Sequence, residues 1–171
     1  MKNKVDKQKG KQVDKFVTGF PVYLFTCIPV HHSMQTILLV EDNRIDETLI
    51  RQILKEEGFD DDQVISARDG LEALDYLFAA GVYVGRDTSE LPALVILDLH
   101  LPKLDGLDVL KRIRSDPHTF NLPVAIFSSS LDTDDLITSD ELGVTSYIHK
   151  SSNLAAYAAD VRELVNHLKE N

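Results

Sequence analysis

The chain has a single cysteine, Cys27, so it can form no disulfide within itself and no cysteine-rich metal site. That thiol reads as an inert small hydrophobe. No apolar run is long enough to cross a membrane: Phe16 to Val30 covers 15 residues and is broken by Gly19, Pro21 and Pro29, whereas a spanning helix needs about 20 apolar residues. Lysines precede that stretch as they would in a signal peptide, but no small-x-small cleavage pattern appears before His31-His32-Ser33, which disfavours secretion. These absences fit a cytoplasmic protein with no membrane partner.

Basic charge is also scarce, with 18 Lys and Arg against 28 Asp and Glu. Residues 1–33 hold six lysines and two aspartates, a net +4, so the chain total of -10 leaves -14 on residues 34–171. A body that acidic lacks the footprint by which proteins hold nucleic-acid phosphates, and cations or basic partner surfaces suit it better. Glycines are missing where a phosphate-binding loop or a dinucleotide fingerprint needs them: the turn after the first strand reads Glu41-Asp42-Asn43-Arg44. No Ser-His-Asp set stands in a workable position, so a hydrolase triad is excluded as well.

What is present is a regular alternation. Residues 1–15 are Lys-rich without apolar period and read as disordered, and the extension 1–33 reads as unstructured or outside the working domain. Met34 lies two residues before the first clear strand, so the working domain is taken as 34–171, one domain with enough length for a real core. Thr36–Val40, Val64–Ala67, Ala93–Asp98, Pro123–Phe127 and Thr145–His149 read as strands, the longest of them apolar on both faces as in a parallel sheet. Between them, apolar residues recur at helical spacing: Ile45, Leu49, Ile50, Ile53 and Leu54; Leu71, Leu74, Leu77 and Phe78; Leu104, Leu107, Leu110 and Ile113. The segment Asp132 to Leu142 is poor in apolar residues and predicts a weakly anchored helix. The stripe Leu154, Tyr157, Ala158, Val161, Leu164, Val165 and Leu168 predicts a well-anchored last one. Strands alternating with helices predict an α/β fold, a parallel sheet with right-handed crossovers and helices on both faces.

In such a sheet every strand points its carboxyl end to one rim, which is where ligands bind. Glu41-Asp42, Asp98, Ser128 and Lys150 all fall there. Clustered carboxylates repel, by about 4 kcal/mol for a pair 4 Å apart at an effective dielectric near 20, so the cluster must take up protons or bind a cation. All-oxygen ligands suit a hard ion such as Mg²⁺. A carboxylate held beside a metal, an ammonium and a hydroxyl can accept a phosphoryl group, with Asp98 as nucleophile and the cations offsetting charge on the phosphoryl oxygens.

In Leu39-Val40-Glu41-Asp42, in Val95-Ile96-Leu97-Asp98-Leu99-His100-Leu101-Pro102 with Asp105-Gly106, in Ser128 and in Tyr147-Ile148-His149-Lys150, residues 36–168 resemble the response-regulator receiver domain of two-component signalling. The spacings of 30 residues from Asp98 to Ser128 and 22 from Ser128 to Lys150 match that family too. The resemblance implies a flavodoxin-like (βα)5 fold with strand order 2-1-3-4-5. It implies that Asp98 is phosphorylated by a sensor histidine kinase or a histidine phosphotransfer protein, and that the chain signals rather than catalyses. Asp42 and Asp98 would hold Mg²⁺ directly, Glu41 through water, and the main-chain carbonyl of His100 would supply another ligand. Ser128 would turn inward to the phosphoryl group, Lys150 would pair with it, and Tyr147 would fill the space behind Ser128. His100 and Ser130 are assigned the tuning of water access.

Three features depart from the family pattern. Ser128 stands where Thr is commoner, which keeps the hydroxyl and loosens its rotamer. Ser151 replaces the usual proline, which puts the cis peptide expected there in doubt. The loop 81–92 is long, which makes the chain similar to stand-alone regulators serving phytochrome-type kinases. The rival readings are a receiver-like interaction module that works without phosphorylation and a Mg²⁺-dependent phosphatase. The latter wants a catalytic acid where His100 stands. With no output domain expected after the last helix, the signal would leave through a surface around the fourth helix, fifth strand and fifth helix, to an unidentified downstream target or by onward phosphotransfer. A homodimer is compatible with the sequence and not derivable from it.

Overall fold

Ile37, Leu38, Leu39 and Val40 are all fully buried, and they form β1 (Ile37–Val40), an inner strand of a five-stranded parallel sheet with the order β2-β1-β3-β4-β5. The other strands are β2 (Val64–Ala67), β3 (Leu94–Leu97), β4 (Val124–Ser128) and β5 (Ser146–His149). This computed structural model describes residues 35–170. The expectations for residues 1–33, with Cys27 and the stretch Phe16 to Val30, and for a working start at Met34, lie outside the described residues. Among those described, no helix is long and apolar enough to cross a membrane.

Alternation along each strand sends side chains to opposite faces, and two cores result. Ile37, Leu39, Ile96 and Phe127 pack under α1 (Arg44–Glu56) and α5 (Leu154–Glu170), through Ile50, Leu54, Tyr157, Val161 and Val165. Leu38, Val40, Val95, Leu97 and Ile126 pack on the other face, under α2 (Gly70–Leu77) and α3 (Gly106–Ser115), through Ala73, Leu77, Val109, Leu110 and Ile113. Local chemistry sets the helix ends. Asn43 caps α1 by accepting the Ile45 N–H at 2.9 Å, and Gly58, at φ 91°, supplies the left-handed residue that closes it.

Helices lie on both faces of the sheet as the patterning predicts, but four apolar assignments move. Leu71, expected on the buried stripe of α2, is 48% exposed; that helix instead packs through Gly70, Ala73, Tyr76 and Leu77. The cause is its close approach to the β3–α3 connection, where a Cβ on Gly70 would strike the Leu104 carbonyl. Ile45 and Leu154 occupy the exposed first turns of their helices, and Leu104 precedes α3 rather than belonging to it. The weakly anchored helix is borne out as α4 (Thr133–Glu141), whose only fully buried residue is Ser139. The long loop after α2 holds a short 3-10 turn, Gly81–Tyr83, with Tyr83 edge-on to Tyr76 at 5.2 Å and Arg86 stacked over the Tyr76 ring at 4.1 Å. The peptide between Lys150 and Ser151 is trans.

Gly106 shows how tightly the β3 end is held. Its N–H donates to the Leu99 carbonyl at 2.8 Å, and a Cβ there would lie 2.7 Å from Leu99 Cα and collide with the Asp98 carbonyl. Gly106→Ala is expected to lower stability by about 1–3 kcal/mol, the usual cost of overpacking, read as a lower urea midpoint with an unchanged slope.

Candidate functional site

Because the strands are parallel, the residues that follow β1, β3 and β5 leave the core at one rim. Backbone bonds fix them there: Asp98 N–H donates to Val40 O at 3.0 Å, Glu41 N–H to Ala67 O at 2.9 Å, and Lys150 N–H to Ser128 O at 2.8 Å. The side chains then converge. Lys150 Nζ donates to Glu41 Oε2 and Asp98 Oδ2, both at 2.7 Å, and lies 3.1 Å from Asp46 Oδ2. Carboxylate oxygens of Glu41, Asp42 and Asp98 all lie within 4.8 Å of one another. Glu41 and Asp98 are buried whereas Asp42 is exposed, so the cluster has a buried base and an open mouth.

The electrostatics follow from burial. Desolvation pushes the Glu41 carboxyl from 4.5 up to about 7, although its bond to Lys150 pulls the other way. Burial disfavours the charged Lys150 as well, but its bonds to Asp98 and Glu41 prevail and raise it above the ordinary lysine value. Three carboxylates, Glu41, Asp46 and Asp98, contact this one ammonium and a fourth, Asp42, lies beside Glu41 and Asp98, so negative charge is left uncompensated. An all-oxygen donor set with spare negative charge and an opening to solvent fits a hard divalent cation.

The hydroxyl side of the site is ordered by the β4–α4 turn. Ser128 is fully buried, and its Oγ accepts the Ser130 N–H at 3.0 Å. Ser130 Oγ donates to Asp135 Oδ2 at 2.7 Å, and its carbonyl accepts the Tyr147 hydroxyl at 3.1 Å. Tyr147 is thus already laid over this turn, and burial raises its hydroxyl pKa. His100 is exposed, and its N–H donates to Asp98 Oδ1 at 3.2 Å.

The structure therefore brings Glu41, Asp42, Asp98 and Lys150 together, with Ser128, Ser130 and Tyr147 along the adjoining strand ends. One member escaped the sequence reading. Asp46, in the first turn of α1, reaches Lys150; as an acid beside a helix N-terminus it looks like ordinary dipole compensation, and only the packing of α1 turns it toward the rim.

Residues 37–162 match the family model of the response regulator receiver domain. The curated response regulator Rcp1 of a Synechocystis species is 42% identical over 120 residues, covering 70% of this chain and 79% of that protein. Among solved structures, the phosphorylated cyanobacterial phytochrome response regulator RcpA superposes with a TM-score of 0.69 at 40% identity, over 76% of this chain and 90% of that one. The Mn²⁺-bound form of Rcp1 gives 0.69 at 38% identity, over 76% and 91% respectively.

Proposed function

Since this chain belongs to the response regulator receiver domain family, whose members signal rather than catalyse, we propose that Asp98 is its phosphoacceptor in a Mg²⁺-dependent reaction. The family implies a histidine kinase as partner. In the transfer, an Asp98 carboxylate oxygen attacks the phosphorus of a phosphohistidine, the P–N bond breaks, the imidazole leaves, and an acyl phosphate forms on Asp98. Mg²⁺, when bound by Asp42, Asp98, the His100 carbonyl and, through water, Glu41, supplies positive charge to the phosphoryl oxygens. The observation that carries this reading is Lys150 Nζ within 2.7 Å of both Glu41 and Asp98 while Asp42 closes the carboxylate cluster.

The remaining roles belong to the chain's own groups. Lys150 already touches the acceptor and follows the new charge onto a phosphoryl oxygen. Ser128 gives up its bond from the Ser130 N–H and donates its hydroxyl to another. Because Ser130 is tied to both Tyr147 and Asp135, that turn carries the change into α4, which buries a single residue, Ser139. A phosphoryl group brings about −1.5 to −2 charge and three acceptor oxygens, and a loosely packed element needs only a small bias to change population. The α4–β5–α5 surface is then the outlet, by target binding or onward transfer, and a homodimer is compatible with the reading. His100 and Ser130 control how water reaches the acyl phosphate, which the decay time of a phosphorylated His100→Asn chain reads. The relatives point to a phytochrome-type kinase or its phosphotransfer protein as donor, in the cytoplasm, with residues 34–171 as the working receiver.

Incubating the chain with acetyl phosphate tests the proposal. With Mg²⁺ the intact mass is expected to rise by one phosphoryl group, and with EDTA it is expected to stay unchanged. Equal labelling in both, or in neither, overturns the phosphoacceptor reading, and the latter result favours an interaction module that works without phosphorylation.

A further inference from the structure

The connection from β3 to α3 holds a charged contact that the phosphoryl chemistry above does not use. Lys103 lies in it at φ 65°, in the left-handed region that a residue with a Cβ disfavours. Its ammonium sits 2.5 Å from Asp69 Oδ2. Asp69 is buried and caps α2, accepting the Glu72 N–H at 2.9 Å. Burial works to raise its carboxyl pKa, but Lys103 and the Glu72 amide outweigh burial and hold it below the usual range.

Most of the bonds that shape this connection are internal to it. The His100 N–H reaches Asp98 at 3.2 Å, and the Leu101 and Leu104 N–H groups reach Leu99 and Pro102 carbonyls at 3.1 and 2.8 Å. Such bonds set the local shape of the loop but not where it sits against the rest of the rim. Lys103 supplies an anchor to a different element, the N-terminus of α2. A side chain that could relax out of a disfavoured backbone conformation, yet is held there by a buried carboxylate, marks a place where position matters more than local comfort.

We propose that Lys103 is a positioning residue: tied to Asp69, it holds the β3–α3 connection in the left-handed turn that places His100, and with it the oxygen donors around Asp98, for a divalent cation. The inference rests on the cation site argued under the proposed function. It also sets the size of the effect. Lys103 is 62% exposed at its side chain, so the tie is weak and its loss changes cation affinity by roughly two- to fivefold rather than abolishing it.

The test is Mg²⁺ titration of the full chain by calorimetry without phosphodonor, paired with thermal unfolding in EDTA. Lys103→Met keeps the Cβ that disfavours the left-handed φ and removes the charge; Asp69→Asn keeps a capping oxygen and removes the charge on the other side. Each is expected to raise the Mg²⁺ Kd roughly two- to fivefold, the two together no further than either alone, and Lys103→Arg is expected to restore the parent value. A change in unfolding midpoint with an unaltered Kd shows a merely structural role and overturns the proposal, as does failure of Lys103→Arg to restore binding. A parent chain that binds no Mg²⁺ removes the cation site itself and the proposal with it, whereas a parent that binds and a Lys103→Met chain that equals it overturn the positioning role alone.

Discussion

An Asp98→Asn chain is expected to gain no phosphoryl group from acetyl phosphate and Mg²⁺ while remaining folded. The amide matches the carboxylate in shape but offers no anionic oxygen to attack phosphorus, so the acceptor is lost with little change of packing. Two electrostatic consequences oppose each other. The 2.7 Å ion pair from Lys150 weakens to a bond with a neutral oxygen, and the repulsion between Asp98 and the buried Glu41 disappears. Net stability should therefore move by no more than about 1–2 kcal/mol, which a thermal melt in EDTA reads alongside the intact mass. A folded Asp98→Asn chain that still takes up one Mg²⁺-dependent phosphoryl group would place the acceptor elsewhere.

Lys150→Met is expected to produce the largest loss of stability of any single change at the rim. The methionine keeps most of the apolar stem but leaves Glu41 and Asp98, both buried, with no cation between them. Removing one partner of a buried pair costs about 3–5 kcal/mol. Metal-free protein in EDTA, followed by urea unfolding, should show this, and saturating Mg²⁺ should recover part of it because ligand binding stabilises only the folded state. The loss should also depend on pH with a definite sign. Glu41 titrates at about 7 in the folded chain against 4.5 in the unfolded one, so between those values the folded state holds more protons and stability falls as pH rises. Without Lys150 the Glu41 carboxyl loses what pulls its pKa down, so the deficit of the variant should widen from pH 6 to pH 8. A deficit that is flat with pH, or under 1 kcal/mol by the measure of exposed pairs, would mean that the carboxylates are not held in a desolvated cluster.

The fold was legible where burial writes an unambiguous pattern. Ile37-Leu38-Leu39-Val40 and Leu94-Val95-Ile96-Leu97 are apolar at every position because helices cover both faces of the sheet, and nothing but an inner parallel strand needs that. The last helix was equally plain, since four turns repeat the stripe that Tyr157, Val161 and Val165 bury. In α2 the same reasoning chose Leu71 and missed Ala73, because a helix of eight residues carries too few turns to fix its phase. Its orientation is decided by how closely Gly70 lets it approach the next connection.

The order of strands and helices is written in the amino-acid chain, and with it the chemistry delivered to each strand end: carboxylates after β1 and β3, a hydroxyl at the end of β4, an ammonium after β5. Periodic burial and chain direction suffice for that, and both are local properties of the chain. Packing in three dimensions is what brings Lys150 to Glu41 across 109 residues of sequence, turns Asp46 toward the same ammonium and closes Lys103 on Asp69. Those contacts depend on how whole helices and loops settle against the sheet to within an ångström or two, and side-chain packing between distant segments, which leaves no periodic trace along the chain, sets that distance.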